Sequence, residues 1–481
     1  MTMSTDALAA SRSPLTTVSN PSRTRLSGAT LDAALDDLAA LLDGEVVLPS
    51  DPDWDAARAA WQLGVDQRPV AVVIARTEND VARTLRLAAR MDVRVAPQGT
   101  GHGAAALGDL SAAILLRTSA LSYVAVDPIG RTATVGAGAT WGSVIEAAAR
   151  HGLAGLSGSS ATVGVVGYLL GGGVGWLGRL HGLGAGSIVS ARVALPGGAV
   201  VVASASEHAD LWWALRGGGG AGVVTEVTIR LVDVARLTAG SLWWPRERAG
   251  EVLKAWARLL PHLPREITTT ARVLRLPDAP ELPAAIRGGS FTLVQAAIVG
   301  SDELADRLLA PLRELAPVID DVSPVTPDAL GRLAMDPAEP SAGSAEGVVL
   351  SSLDDAAIDA WLAALDSEAC AGVVAADLRQ LGGALSAGTL DDAALTGIDG
   401  VAAAVAVAPA TPAATLAQAS AMVEAALEAL EPWTGALQYA NFVERPVEQR
   451  TLVGAAVDRL DTVRLTYDPD GTVLRRHGAG R

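Results

Sequence analysis

Cysteine is almost missing from this 481-residue chain, in which Cys370 is the one example. A single thiol excludes an internal disulfide and any cysteine-rich metal site, and it suits a reducing compartment, so a cytoplasmic location is expected. Aromatic residues are scarce at 4%, with 11 Trp, 4 Tyr and 2 Phe, so an aromatic ligand wall must be built from few side chains. Basic charge is short too. The net charge of −16 leaves no basic stripe to offset phosphates, which argues against duplex nucleic acid and anionic membranes as partners. No uncharged apolar run reaches the roughly eighteen residues of a membrane span. His151, His181, His208, His262 and His477 show no metal-ligand spacing, so no metal site is expected. G-x-S-x-G is absent, which removes the usual Ser-His-Asp hydrolase signal.

Apolar residues make up 50% of the chain, so a large core can form, and the length argues for two domains. Residues 1–39 begin Ser/Thr-rich and lack a secretory apolar stretch; they read as a disordered tail, with a transit peptide as the alternative, while "LDAALDDLAALLDG", which overlaps its end, has the Leu and Ala spacing of a helix stopping at Gly44. Strand-like "RPVAVVIA", "VRVAP", "SAAILLRT" and "TATVGAG" alternate with helical "TENDVARTLRLAARMD" and "WGSVIEAAARHG", a pattern of mixed α and β structure. Thr77 is placed to cap the first of these helices, with Asp80 three residues on. From about residue 238, strands such as "ITTTARVLRL" and "FTLVQAAIVG" alternate with helices, suggesting a sheet with helices on one face. The Pro/Asp/Ser-rich stretch 323–346 reads as a long surface connection. The terminal segment is too short to fold alone and must dock on a folded unit.

Glycine is concentrated in three clusters: "PQGTGHG", "GSSATVGVVGYLLGGGVGWLGRLHG" and "LRGGGGAGVV". Gly101–Ala106 and Gly173–Gly178 both match the dinucleotide fingerprint G-x-G-x-x-G/A. A turn and a strand follow the first match, where a helix N-terminus should hold the pyrophosphate, so a Rossmann site is disfavoured. Three clusters within one α/β unit suit backbone N–H nests around an extended dinucleotide such as FAD. The alternative is that they are tight turns and close packing.

On these residues, together with "DLWWALRGGGGAGVVT", "YANF" and "YDPDG", the chain resembles the vanillyl-alcohol oxidase superfamily, and within it the berberine bridge enzyme-like oxidases. The resemblance implies an α+β fold with a two-part FAD-binding domain, residues 40–235 and 435–481. A substrate domain, residues 236–434, would be inserted between the two parts as an antiparallel sheet covered by helices. It implies FAD contacts from Pro97, Gln98, Gly99, Thr100, Gly101, His102 and Gly103 in the first loop. The second loop would add Gly158, Ser159, Ser160, Val163, Gly164, Gly167, Tyr168, Gly171 and Gly175, and the third Gly222, Val223 and Val224.

In the family the first-loop histidine carries a covalent bond to the flavin, a role that falls on His102. The second, cysteinyl link of some members falls on Ser160, which cannot form it. Val163 matches the small gate through which oxygen reaches the flavin. Tyr439 and Asn441 would flank the ring from one extended segment, Tyr439 as a base of lowered pKa or as a packing group. Arg379 or Gln380 would meet a small-molecule substrate, and strand alternation allows at most one of them to face it. The implied reaction is hydride transfer from an alcohol or amine-adjacent carbon, with oxygen forming hydrogen peroxide. A flavin dehydrogenase with another acceptor and a non-catalytic flavin-binding protein are the alternatives.

Overall fold

The computed structural model describes residues 28–280 and 282–477. Most of the expected tail, residues 1–27, lies outside the described residues. Its last part does not behave as a tail, because Gly28–Ala39 is a helix. Leu31, Leu35 and Leu38 recur at helical spacing and pack against Val81 and Leu85 of the helix Glu78–Met91. That second helix starts as its sequence suggests. Thr77 and Asp80 form a reciprocal capping box, in which each side chain accepts the other's backbone N–H.

Two sheets build the glycine-rich part. In the first, Ala71–Ile74, Ala113–Arg117 and Arg94–Gln98 run parallel, and Glu45–Val47 adds an antiparallel edge. The second is antiparallel throughout, in the order Val124–Asp127, Thr132–Gly136, Val223–Arg230, Ile188–Ala194, Val200–Ser204. Pro196-Gly197-Gly198 turns its last hairpin, with Gly198 at φ +78°.

A third, larger antiparallel sheet occupies the middle of the chain. Its central strands are Leu237–Pro245, Ser290–Val299, Ile267–Arg275, Ala375–Gln380 and Ala402–Pro409, and Gly343–Leu350 closes one edge. Strand alternation gives this sheet two different faces. Ile267, Ala271 and Val273 point into a core with helices Ala249–Leu259, Asp302–Arg313, Asp355–Leu365 and Leu416–Glu428. Thr268, Thr270 and Arg272, between them, look the other way and line a cleft against the glycine-rich part. The α+β architecture expected from the sequence is the one the chain adopts.

The stretch 323–346 departs from the expected surface connection. Ser323–Val325 pairs with Leu237–Ala239, Pro327–Gly331 is a 3-10 turn, and the edge strand already begins at Gly343. Leu330 and Ala334 are buried against Leu237 and Ala239, and that burial outweighs the polar composition around them. The terminal segment docks as expected. The helix Val457–Tyr467 packs on Trp213 and Leu215, Tyr467 donates to Asp210, and the Leu474 amide bonds the Val95 carbonyl beside the parallel sheet.

Candidate active site

A cavity of about 530 Å³ runs between the two parts. Its walls are the loop after Arg94–Gln98, the segment around the helix Val165–Leu170, the glycine run 217–222, the cleft face of the large sheet, and the terminal segment. Gly217, Gly219, Gly220 and Gly222 all have positive φ, which curls their backbone into a concave loop that L side chains resist. Arg464, itself at the cavity wall, braces this loop by donating to the Gly218 and Gly220 carbonyls.

All but one of the expected cofactor residues line this cavity. The exception is Gly175. A Cβ there would stand 1.7 Å from the Ser157 carbonyl oxygen, so this glycine serves close backbone packing, at the smaller cleft beside the cavity. The room and the polarity suit a large polar group. At Gly167 and Gly219 a Cβ would meet no atom within 4 Å, so the wall is open there. The Tyr168 hydroxyl, Gln98 Nε2 and Arg476 Nε are buried in the wall with no hydrogen-bond partner among the described residues. Residues of this kind fit a dinucleotide cofactor, whose oxygens and ring nitrogens offer partners to orphaned donors.

His102 stands in the first loop, stacked on Trp61 with ring centroids 4.4 Å apart. Its Nδ1 lies 2.8 Å from Thr100 Oγ1 and its Nε2 lies 3.3 Å from Thr162 Oγ1. Ser160 Oγ in turn lies 2.8 Å from Thr162 Oγ1. Burial, aided by the positive charge of Arg476, depresses the imidazole pKa to about 4. The ring is therefore neutral near pH 7 and keeps a nucleophilic nitrogen.

Tyr439 and Asn441 meet on the opposite wall, though not on an extended segment. Ala440–Phe442 is a 3-10 turn capped by Tyr439. The turn still brings the pair together, because Asn441 Nδ2 donates to the Tyr439 hydroxyl at 2.9 Å. The Val174 amide donates to the same hydroxyl, also at 2.9 Å. Asn441 further donates to the Tyr168 carbonyl and accepts from Arg476, so all three of its bonds are directed. Only glycine fits at 171, where a Cβ would stand 2.1 Å from Asn441 Oδ1.

The lowered pKa expected for Tyr439 is not found. Burial pushes the phenol up to about 12, and the bonds from Asn441 and Val174 only partly counter it. A phenolate base is thus scarce at neutral pH.

On the sheet face, Arg379 points into the cavity, with its guanidinium 5.0 Å from the Phe442 ring. Gln380 turns to the helix-covered face, where its Oε1 accepts from the Thr269 backbone and hydroxyl, so it is not a group of the main cavity. Arg379 is held by Asp377, which is also paired with Arg272 at 2.6 Å. Ser159 donates to Asp336 at 2.7 Å near the same wall. The sequence reading missed Trp61, Asp336, Glu444, Arg464 and Arg476. Local pattern marks none of the five, although Glu444 lies two residues beyond "YANF" and Arg464 three before "YDPDG".

Comparison with known proteins agrees with this geometry. Residues 69–204 match the FAD binding domain family. (R)-6-hydroxynicotine oxidase of Paenarthrobacter nicotinovorans is 32% identical over 205 residues, which is 42% of this chain and 45% of that protein. The Bacillus subtilis protein named uncharacterized FAD-linked oxidoreductase YvdP is 30% identical over 308 residues, 63% of this chain and 66% of that one. The match thus spans less than half of the former relative and about two thirds of the latter. The solved structure of Physcomitrella patens BBE-like 1 superposes with a TM-score of 0.79 at 20% identity, covering 92% of this chain and 98% of that one.

Fold and cleft therefore define a class: the chain has the fold of the berberine bridge enzyme-like structure, and its residues 69–204 match a domain that binds FAD. The relatives that this chain resembles in sequence carry the names of FAD-linked oxidases and oxidoreductases.

Among the described residues no helix is long and apolar enough to cross a membrane, and no cluster of His, Cys, Asp and Glu could hold a metal.

Proposed function

We propose that the protein is an oxidase that removes a hydride from an alcohol or amine-adjacent carbon of a small molecule and passes the electrons to dioxygen. The observation that carries this reading is the meeting of glycine loops, Tyr439, Asn441 and a polar sheet face around one cavity. In this reading residues 40–235 and 435–481 form the FAD-binding unit, and residues 236–434 form the substrate unit. FAD bound there supplies a two-electron acceptor that dioxygen reoxidises with release of hydrogen peroxide.

The chain's own residues then divide the work. Backbone amides of the three glycine loops face the dinucleotide. His102, neutral and fixed by Trp61 and Thr100, is the site of a single covalent link; Ser160 forms none. Tyr439 and Asn441 act as a fixed hydrogen-bonding wall beside the reacting centre. Arg379 contacts the substrate, and Val163 leaves space for oxygen. Cys370, a buried free thiol, is the ground for a cytoplasmic location.

Acid precipitation of the purified protein tests the reading. Yellow colour kept in the pellet, with a peptide adduct at His102, supports covalent attachment. His102→Ala should release its flavin into the supernatant, and substrate turnover in air should accumulate peroxide. Wild-type flavin that is fully extractable contradicts the covalent link, and turnover without peroxide contradicts the oxidase.

A further inference from the structure

The proposed hydride transfer needs a group to take the hydroxyl or amino proton, and Tyr439 is a poor choice. Its hydroxyl already accepts two hydrogen bonds, from the Val174 amide and from Asn441. Among the cavity's other ionisable groups, Asp468 spends both oxygens on the Thr472 and Val473 amides. Asp336 accepts from Ser159 and stands as a counter-charge to the Arg379 guanidinium, and both His102 nitrogens face threonine hydroxyls. Both nitrogens of His477 face backbone carbonyls, those of Arg445 and Ala440.

Glu444 differs. It lines the cavity just past the Tyr439–Asn441 turn, at the seam where the edge strand Gly343–Leu350 reaches the glycine-rich part. Its Oε2 accepts the Ala345 amide at 3.1 Å and the carboxylate takes a second bond from the Gln62 side chain, two uncharged donors that fix it without neutralising it. We infer that Glu444 is the proton acceptor of the site, a role that rests on the oxidoreductase reading above.

The surroundings suit that task. Burial raises the Glu444 pKa to about 7. The neighbouring carboxylate of Glu346 adds to this, while the Ala345 amide, the Arg476 guanidinium and the Gln62 amide pull the other way. Arg445, next along the chain, lies 3.7 Å from Glu346 and blunts that repulsion. His477 packs on the Arg445 carbonyl and, with its own pKa depressed to about 4, adds no charge near pH 7. A carboxylate that changes charge near neutral pH is matched to general-base work.

The step balances. The substrate C–H bond breaks and its electron pair leaves with the hydrogen to the flavin, the O–H or N–H proton passes to Glu444, and a C=O or C=N bond forms. When dioxygen takes the two electrons it also takes two protons, the one carried with the hydride and the one on Glu444, so the carboxylate is restored.

The test uses the FAD-loaded protein. First, the visible flavin spectrum is titrated with pH without any substrate. The wild type should show a midpoint near 7 that Glu444→Gln lacks, and Glu346→Gln should move that midpoint to lower pH by removing a like charge. The second variant keeps the idea testable if the first does not fold. Next, anaerobic flavin bleaching is followed with 4-hydroxybenzyl alcohol, D-glucose and benzylamine. For any that reacts, Glu444→Gln should slow bleaching about 100-fold at pH 8 and flatten its pH profile, and Glu444→Asp should recover part of the rate. A wild-type spectrum with no transition near 7, or a Glu444→Gln protein with an unchanged rate and profile, overturns the assignment. A protein that titrates as expected but is bleached by none of the three contradicts the oxidoreductase reading itself, and the role falls with it.

Discussion

Asp377→Asn removes the carboxylate that buried Arg272 and partly exposed Arg379 share. Asp377 is 2% exposed, with Arg272 on one oxygen at 2.6 Å and Arg379 on the other at 3.0 Å. The amide keeps the shape and loses the charge, so Arg272 remains in the cleft without its counter-ion and Arg379 keeps only the attraction of Asp336. Breaking one partner out of a buried ion pair costs about 3–5 kcal/mol. An unfolding entropy of about 2.1 cal/mol/K per residue gives roughly 1 kcal/mol/K for the whole chain, so Tm should fall by about 3–5 °C if all of it melts together. If the roughly 200 residues of the proposed substrate unit melt alone, the same loss is spread over less entropy and Tm should fall by about 7–12 °C.

The pH dependence has a definite sign. Burial on its own raises the Asp377 pKa, but the attraction of Arg272 and Arg379 brings it below 3.8. A carboxylate lowered on folding contributes stability at pH values above its unfolded pKa and loses it as pH falls through the folded value. The gap between wild type and variant should therefore be full at pH 7 and close only in strong acid. Calorimetry at both pH values is the assay. A Tm drop under about 1 °C at pH 7 would refute the claim that this ion pair holds the cleft face together.

Gly171→Ala puts a methyl group 2.1 Å from Asn441 Oδ1, so overpacking of about 1–3 kcal/mol should displace Asn441 and weaken FAD uptake by the flavin-free protein, read by fluorescence titration. Tyr439→Phe should keep flavin bleaching within about tenfold of wild type, because a phenol pushed to about 12 is not the base; a loss approaching the roughly 10⁴-fold ceiling for a general base would restore it to that role. The flavin-free protein should lose stability as pH falls from 6.5 towards 4. In that window the unfolded chain protonates the imidazoles of His102 and His477 while the folded chain does not, and chemical denaturation at several pH values would show the slope.

What could be read in advance was local. The Thr77–Asp80 capping box needs only four residues. Strand alternation also stated correctly that Arg379 and Gln380 must part, but not which one would face the cavity, since that depends on which sheet face the helices cover. The strand Ser323–Val325 was hidden because its partner lies more than eighty residues earlier and its own composition is polar. Gly175 sits in a glycine-rich motif, yet its purpose is contact with Ser157, a backbone distance that no spacing rule contains. The proton affinities of Tyr439 and Glu444 come from burial by other elements, and Arg476 reaches Asn441 only after the terminal segment docks.

The account stands on one cavity shaped for one FAD. The most direct measurement is the visible absorption spectrum of the purified protein, with flavin counted against protein after the flavin-free form is mixed with excess FAD and desalted. One FAD retained per chain is the predicted result. A colourless protein that takes up none would contradict the account at its root.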